Sequence, residues 1–206
     1  MYIFLAKMKD RIIAISLEMF LKNGIQAVSI QTITRNTGVS SKTIYKLFRD
    51  KNQLLEKCLA VHYNRLFDQL NVEIASASNA LEALLKLNEQ VVDLEFRTNP
   101  VFYQDLNYYY PLLQDKTGKR YGKKIQEILI GVFNQGKTNG YFRNEIQPEV
   151  FFITLNAIYG SITRNRIFEQ LRIEVNKLIE NTTLTYIRGC CTLFGIKFLD
   201  NYLKGK

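Results

Sequence analysis

The segment from residue 29 to residue 51, SIQTITRNTGVSSKTIYKLFRDK, constrains the fold of this chain more than any other. Ile30 and Ile33 lie three residues apart, which is the spacing of one apolar helix face. Gly38 then predicts a left-handed C-cap, because glycine adopts positive φ without steric cost. Ser40 follows as an N-cap whose side-chain oxygen can accept a backbone N–H of the next helix. The segment therefore predicts a helix-turn-helix.

The second helix of this motif has an apolar inner face and a polar, basic outer face. Ile44 and Phe48 lie four residues apart and are expected to face the core. The outward groups are hydroxyls, a phenol and ammonium groups, which can contact bases and phosphates when a helix enters the major groove. These outward residues are Ser41, Lys42, Thr43, Tyr45 and Lys46. An ordinary helical hairpin with a solvated charged face is the alternative, and the tight turn together with the charge favours DNA binding.

Positive charge is concentrated at the same end of the chain. The 206 residues contain 28 Lys and Arg against 19 Asp and Glu, a formal net charge of +9. Residues 1–57 hold ten of the basic and four of the acidic side chains, so +6 of the +9 lies there. This asymmetry is typical of a phosphate-binding end attached to a nearly neutral remainder.

Residues 12–54 resemble the N-terminal domain of the TetR family of transcriptional repressors, without a gap. The similarity rests on Ile12, Ile13, Met19, Phe20, Gly24, Ser29, Ile33, Gly38, Val39, Ser40, Thr43, Ile44, Tyr45, Phe48, Lys51 and Leu54. The resemblance implies an all-α fold, in which a three-helix DNA-binding domain (residues 1–53) is joined to a helical effector-binding and dimerisation domain (residues 54–206). It also implies a regulator, expected to be a repressor, whose partners are double-stranded operator DNA and a small-molecule effector.

Two kinds of DNA contact are predicted within the first domain. A helix N-terminus and its hydroxyls can bind phosphate oxygens. The resemblance implies in addition that Tyr45 and Lys51 clamp phosphates. The residues expected at phosphates are Ser29, Gln31, Tyr45 and Lys51. Ammonium groups can donate to guanine, and a threonine methyl can pack on a thymine methyl. The residues expected to face the groove are Ser41, Lys42, Thr43 and Lys46.

Helical patterns cover nearly all of the chain. The predicted helices are Lys7 to Asn23, the two of the motif, Lys51 to Ile74, residues 79–97, Pro100 to Pro111, Tyr121 to Asn139, Pro148 to Phe168 and Ile173 to Tyr202. The last two are rich in apolar residues, which can be core of a single chain, although one chain has little left to cover both of their faces. The resemblance implies a homodimer formed by a four-helix bundle of these helices, about 148–168 and 173–202. A dimer also suits a short recognition helix, because two copies can contact the half-sites of a near-palindrome.

An aromatic set in the middle of the chain predicts an effector pocket, with core packing as the alternative for each residue. The set is Phe96, Phe102, Tyr103, Leu106, Asn107, Tyr109, Tyr110, Phe133 and Tyr159. Walls of this kind suit a small, largely apolar or aromatic ligand. A ligand that prefers a conformer with badly spaced recognition helices would release the DNA.

The remaining signals bear on other functional classes. Residues Gly131–Thr138, GVFNQGKT, match the phosphate-binding loop of nucleotide hydrolases, which makes a P-loop-like nucleotide-binding protein the alternative function. The flanking pattern is helical, however, whereas that loop needs a preceding strand. Catalytic sets, cofactor motifs and metal-ligand clusters are not found, so we expect neither an enzyme nor a cofactor. Cys58, Cys190 and Cys191 form no C-x-x-C motif, and no apolar run reaches 18 residues, which predicts a cytoplasmic protein without a membrane span.

Overall fold

The computed structural model describes residues 2–165 and 167–205, and the predicted ranges that include Met1, Arg166 and Lys206 extend beyond these residues. Apart from an isolated antiparallel bridge between Phe142 and Cys191, the regular structure of the described residues is helical, which confirms the all-α prediction. The α-helices are α1 (Tyr2–Asn23), α2 (Ile30–Thr37), α3 (Ser41–Leu47), α4 (Lys51–Ser76), α5 (Ala80–Arg97), α6 (Pro100–Tyr109), α7 (Pro111–Thr117), α8 (Lys123–Thr138), α9 (Pro148–Tyr159), α10 (Val175–Ile179), α11 (Thr185–Cys190) and α12 (Leu193–Lys204). Turns of π-helix follow three of them, at Gly118–Gly122, Gly160–Arg164 and Glu180–Leu184.

The chain divides into two compact units. The first contains the residues up to Asp68 together with Phe96–Gly122, and the second contains Gln69–Glu95 and the residues from Lys123 onward. The chain leaves the first unit within α4, which is continuous across residue 53, as expected. The boundary at residue 53 between a DNA-binding domain and an effector-binding and dimerisation domain stays a prediction.

The core of the first unit is built from the inner faces of the helix-turn-helix and of the helices beside it. Phe20 of α1, Ile33 of α2 and Ile44 of α3 are at most 1% exposed, and Leu54 and Phe102 join the same cluster. Removing this apolar surface from water is the main driving force that holds the short α2 and α3 in place.

The core of the second unit centres on stacked aromatic rings. The Phe133 ring lies 4.3 Å, centroid to centroid, from the rings of both Phe142 and Phe151. Gly136 permits this packing, because a Cβ atom there would lie 2.4 Å from the Phe142 ring. The turn that follows α8 uses Gly140 at φ 77°, in agreement with the predicted helix stop.

The predicted single helix from Ile173 to Tyr202 is wrong. The observed chain forms α10, a π-helical turn and α11, and then breaks at Cys191, whose backbone is extended (φ −79°, ψ 152°). The preceding helix is also shorter than predicted, since α9 ends at Tyr159 and continues only as a π-helical turn to Arg164. The helices proposed to form the dimer bundle are therefore shorter and more segmented than the sequence suggested.

The break has a long-range cause. The backbone N–H of Thr192 donates to the carbonyl of Tyr141 (2.9 Å), and that of Arg143 donates to Cys190 (3.0 Å), so these groups leave the helical ladder. The Thr192 hydroxyl then accepts from the N–H of Gly195 (3.1 Å) and caps α12.

Candidate nucleic-acid interface

Both ends of α2 are capped, and the cap at its C-terminus is the glycine predicted from the sequence. The Ser29 side chain accepts the backbone N–H of Thr32 (3.1 Å) at the start of α2. Gly38 ends α2 in the left-handed conformation (φ 68°), and its N–H donates to the carbonyl of Thr34 (2.9 Å). The short residues at these positions therefore fix the entry and exit of α2.

The recognition helix, which we define as α3, begins at a matching cap. The Ser40 side chain accepts the N–H of Thr43 (3.2 Å), and the two hydroxyls lie 2.9 Å apart. This hydrogen bond holds the Thr43 hydroxyl at the cap. Ile44 is buried beneath the helix, whereas Tyr45 is 53% exposed. The outer face of α3 is therefore free to meet another molecule.

The predicted DNA-contacting residues lie on α2, on α3 and in the first turn of α4. Those exposed to solvent are Ser29, Gln31, Lys42, Tyr45 and Lys46. Those partly buried are Ser41, Thr43 and Lys51. The structure thus places seven of the eight residues in the helix-turn-helix and the eighth, Lys51, at the start of the helix that follows it. Their contacts with DNA stay predictions.

Lys51 has a partner within the protein. Its ammonium group donates to the carbonyl of Ile25 (2.6 Å) and lies 5.8 Å from the centroid of the Phe20 ring. Burial lowers the pKa of Lys51, and the negative charge of Asp105 opposes this shift. One of the three N–H groups of the ammonium therefore ties the side chain to the turn between α1 and α2.

The start of α4 is fixed by a reciprocal cap. The Asp50 carboxylate accepts the N–H of Gln53 (2.8 Å), and the Gln53 side chain accepts the N–H of Arg49 (2.9 Å). The bond from Gln53 is the main reason why the pKa of Asp50 lies below its usual value. This cap starts α4 at Lys51, where the sequence predicted the helix to begin, and it sets the position of that residue.

Sequence reasoning missed a set of contacts that hold the turn between α1 and α2 against α6. The buried Asp105 carboxylate accepts the backbone N–H of Gln26 (2.8 Å). Asn99, the N-cap of α6, donates from its backbone to Leu21 (2.8 Å) and from its side chain to Lys22 (3.1 Å). An acidic residue between the apolar positions of α6 was the available signal for Asp105, because such a group needs a partner when it is buried.

The residues predicted to line an effector pocket are divided between the two units. Phe102 and Leu106 are buried in the first core, and Tyr103 and Tyr110 pack against it. Phe96, Asn107 and Tyr109 are exposed residues of the same unit. Phe133 and Tyr159 are buried in the second core, where the Tyr159 hydroxyl donates to the Asn88 side chain and burial raises the pKa of Tyr159. Their roles in ligand binding stay predictions.

The nucleotide-loop alternative is wrong. Residues Gly131–Thr138 are part of α8, so most of their backbone N–H groups are used within the helix and cannot cradle a phosphate. The Lys137 ammonium donates to the carbonyl of Ile146 (3.0 Å), and Gly136 packs against the Phe142 ring. The match to the loop pattern is therefore a coincidence of residue spacing.

Within residues 2–165 and 167–205, no three histidine, cysteine or acidic side chains come close enough together to hold a metal ion. In the same ranges, every helix is too short or too polar to span a bilayer.

Known proteins with similar sequences are transcription regulators. The model of the family "Bacterial regulatory proteins, tetR family" matches residues 12–58. The HTH-type transcriptional repressor KstR2 of Rhodococcus jostii is 20% identical over 147 residues, which are 70% of this chain and 72% of that protein. The HTH-type transcriptional regulator QacR of Staphylococcus aureus is 24% identical over 198 residues, which are 88% of this chain and 97% of that protein.

A solved structure supports the fold along most of the chain. The TetR-family transcriptional regulator from Cytophaga hutchinsonii matches with a TM-score of 0.74 and 16% identity, over 90% of this chain and 96% of that one. At this level of identity the likeness concerns the fold alone. The family match, in contrast, covers the helix-turn-helix and the start of α4.

Proposed function

Because the chain belongs to the TetR family and is a DNA-binding transcriptional regulator, we propose that it is a repressor that binds a near-palindromic operator as a homodimer. A small, largely apolar or aromatic ligand then releases the DNA. The observation that carries the proposal is the capped α3, which exposes Lys42, Tyr45 and Lys46 on one side and buries Ile44 on the other.

The length of the recognition helix supports binding as a pair. The seven residues of α3 span roughly 10 Å, which is enough to contact only a few base pairs. Two copies related by two-fold symmetry would read two inverted half-sites and so double the sequence information. Residues 1–53 supply the DNA contacts in this proposal, and residues 54–206 supply the effector site and the dimer contacts.

An exposed apolar face on α9 supports the proposed dimer. Val150 is 58% exposed and Ile153 is 62% exposed, although both are large apolar side chains. Ala157 continues the same face one turn later and is exposed too. A second copy of the chain would remove this surface from water, which is the usual driving force of obligate dimers.

Selection of binding sites from a random double-stranded DNA library tests the proposal. We expect enrichment of two inverted half-sites whose centres lie about one helical turn, or a multiple of it, apart. The double variant Lys42→Ala/Lys46→Ala is the matched control and should lose the enrichment while the protein stays folded. Enrichment of a single, unrepeated half-site would contradict the dimeric operator, and no enrichment at all would contradict sequence-specific binding. Titration of the selected operator complex with apolar candidate ligands then tests the effector response.

A further inference from the structure

A cavity of about 640 Å³ lies in the second unit between α5 and the C-terminal helices. Its volume is that of a typical small-molecule site. Its apolar walls are Ile179, Leu184, Leu199 and Leu203. The π-helical turn Glu180–Leu184 forms part of the lining, and such turns occur frequently at functional sites.

Asn88 gives this cavity a polar group without a full set of partners. The residue lines the cavity and is only 3% exposed. Its Oδ1 accepts from the Tyr159 hydroxyl, while no described residue accepts a hydrogen bond from its Nδ2. The Asn88 nitrogen is not among the fully enclosed side-chain polar atoms of the described chain that lack a partner, which are Ser16 Oγ and Gln114 Oε1. It therefore keeps some accessible surface, and the residue lines the cavity. A buried amide of this kind needs an acceptor.

The charged groups around the cavity are already paired within the chain. A charged ligand would have to compete with these partners, whereas a neutral one would not. The pairs are Glu89 with the Tyr202 hydroxyl (3.3 Å), Glu180 with Lys177 (3.1 Å) and Arg188 with Asp200.

We infer that this cavity binds a neutral, largely apolar molecule that carries a carbonyl or ether oxygen, and that the Asn88 amide donates to that oxygen. Release of DNA by this molecule rests on the proposed function. Binding of the molecule to the cavity does not, because it is measured without DNA. It places the ligand contact at Asn88 and at the four apolar wall residues.

A pair of fluorescent probes tests the inference on the full-length protein. Prodan, a neutral naphthalene with a dimethylamino group and a ketone, supplies the oxygen, and 2-(dimethylamino)naphthalene lacks it. Tyr159→Phe removes the partner hydroxyl but keeps the Asn88 amide. Asn88→Leu/Tyr159→Phe removes both polar groups and leaves an apolar pair of similar shape, which is the change least harmful to folding. Circular dichroism and urea unfolding check that both variants remain folded.

We expect the wild type and Tyr159→Phe to bind prodan more tightly than the ketone-free probe. The double variant should lose about tenfold in prodan affinity and bind the two probes equally, as expected for one lost hydrogen bond. Leu203→Trp, which fills the cavity, should weaken both probes, while Leu112→Trp at an exposed site of the first unit should weaken neither.

Equal affinity of the wild type for the two probes, unchanged prodan affinity in the double variant, or no prodan binding at all would overturn the inference. The selected operator separates this failure from that of the proposed function. Operator binding without prodan binding refutes the cavity alone, and prodan binding without operator binding refutes the regulator alone.

Discussion

Ser29 and Ser40 stabilise the starts of α2 and α3 in the same way. Each side-chain oxygen accepts the backbone N–H three residues later, and each hydroxyl pairs with the threonine at that position. Because the partner is only three residues away, the conformation follows from local sequence. The same residues orient the outer face of α3, so the positions of Lys42, Tyr45 and Lys46 could be predicted without knowledge of the tertiary structure.

Lys51 illustrates the opposite situation. Its position relative to the helix-turn-helix suggests a phosphate contact, but its ammonium group donates to the carbonyl of Ile25, 26 residues away. The turn that presents this carbonyl is itself held by Asp105, from α6. No local pattern contains this information, because it depends on how α1, α4 and α6 pack together.

Lys51→Ala tests whether this residue also contacts DNA. If the ammonium group neutralises a phosphate, its loss should weaken binding to all DNA sequences similarly. The slope of log affinity against log salt concentration should then fall by about 0.9 for each bound protomer. Fluorescence anisotropy of labelled duplexes at several salt concentrations measures this slope.

Lys57→Ala, at an exposed position six residues further along α4, is the matched control for charge removal. Urea unfolding of both variants separates a DNA contact from a structural role. A lower unfolding midpoint for Lys51→Ala, together with an unchanged salt slope, would mean that Lys51 acts only within the protein and does not contact a phosphate.

At the scale of helices, the sequence predicted starts and stops where the cap lies nearby. Asp50 caps α4, Pro100 opens α6 and Gly140 follows α8, and each of them acts within a few residues of the helix end. The break at Cys191 was missed because its hydrogen-bond partners, around Tyr141, lie about fifty residues earlier in the chain. The apolar pattern alone continues through Cys190 and Leu193, and so it favoured one long helix.

Gly195→Ala should disrupt this junction. An added Cβ atom would lie 2.2 Å from the backbone carbonyl oxygen of Tyr141, which cannot move without breaking its bond to Thr192. We expect a loss of about 1–3 kcal/mol in the free energy of unfolding, measured by urea denaturation. Gly131→Ala, inside α8 with no atom within 4 Å of the new Cβ, should instead gain about 0.5–1 kcal/mol. Equal effects of the two substitutions would argue against a tight contact at Gly195.

The N-terminus of α5 predicts a pH-dependent contribution to stability. The Glu82 carboxylate accepts from the hydroxyl and backbone N–H of Ser78, and Lys86 lies 3.0 Å away. These bonds, led by the Ser78 hydroxyl, lower the pKa of Glu82 from its ordinary value of 4.5 to about 2. A lowered pKa means that the unfolded chain binds the proton first, so this stabilisation is present above pH 4.5 and is lost as the pH falls towards 2.

Glu82→Gln should therefore lower the free energy of unfolding by about 1 kcal/mol at pH 7, since it removes a charge-assisted cap. The difference from the wild type should shrink as the pH falls below 4.5. Urea denaturation across this range measures it, with Glu127→Gln at an exposed position of α8 as the control. A difference that stays constant with pH would contradict the role of the ionised carboxylate.

For the whole molecule, composition identified the aromatic residues but not the core to which each belongs. Phe102 and Phe133 looked equivalent in the sequence, yet they lie at the centres of different cores. The cavity beside Asn88 likewise could not be predicted, because its lining comes from α5 and from residues about 90 to 115 positions later in the chain. The charge asymmetry and the helix-turn-helix, in contrast, are properties of one continuous segment, so both could be predicted from the sequence.

The proposed homodimer leads to the last prediction. Ile153 is 62% exposed on α9, and two-fold symmetry would place two copies of it in one interface. Ile153→Glu would then bury two unpaired carboxylates, which is costly enough to separate the protomers. Light scattering should give twice the 24.0 kDa chain mass for the wild type and the single mass for this variant. Val72→Glu, at a similarly exposed apolar residue of α4, should remain a dimer.

Operator affinity of the Ile153→Glu variant should fall by at least about 100-fold, because each protomer must then bind its half-site alone. Its affinity for an isolated half-site should stay unchanged. A wild type of single mass, or an Ile153→Glu variant that still binds the operator as a dimer, would exclude this face of α9 as the interface.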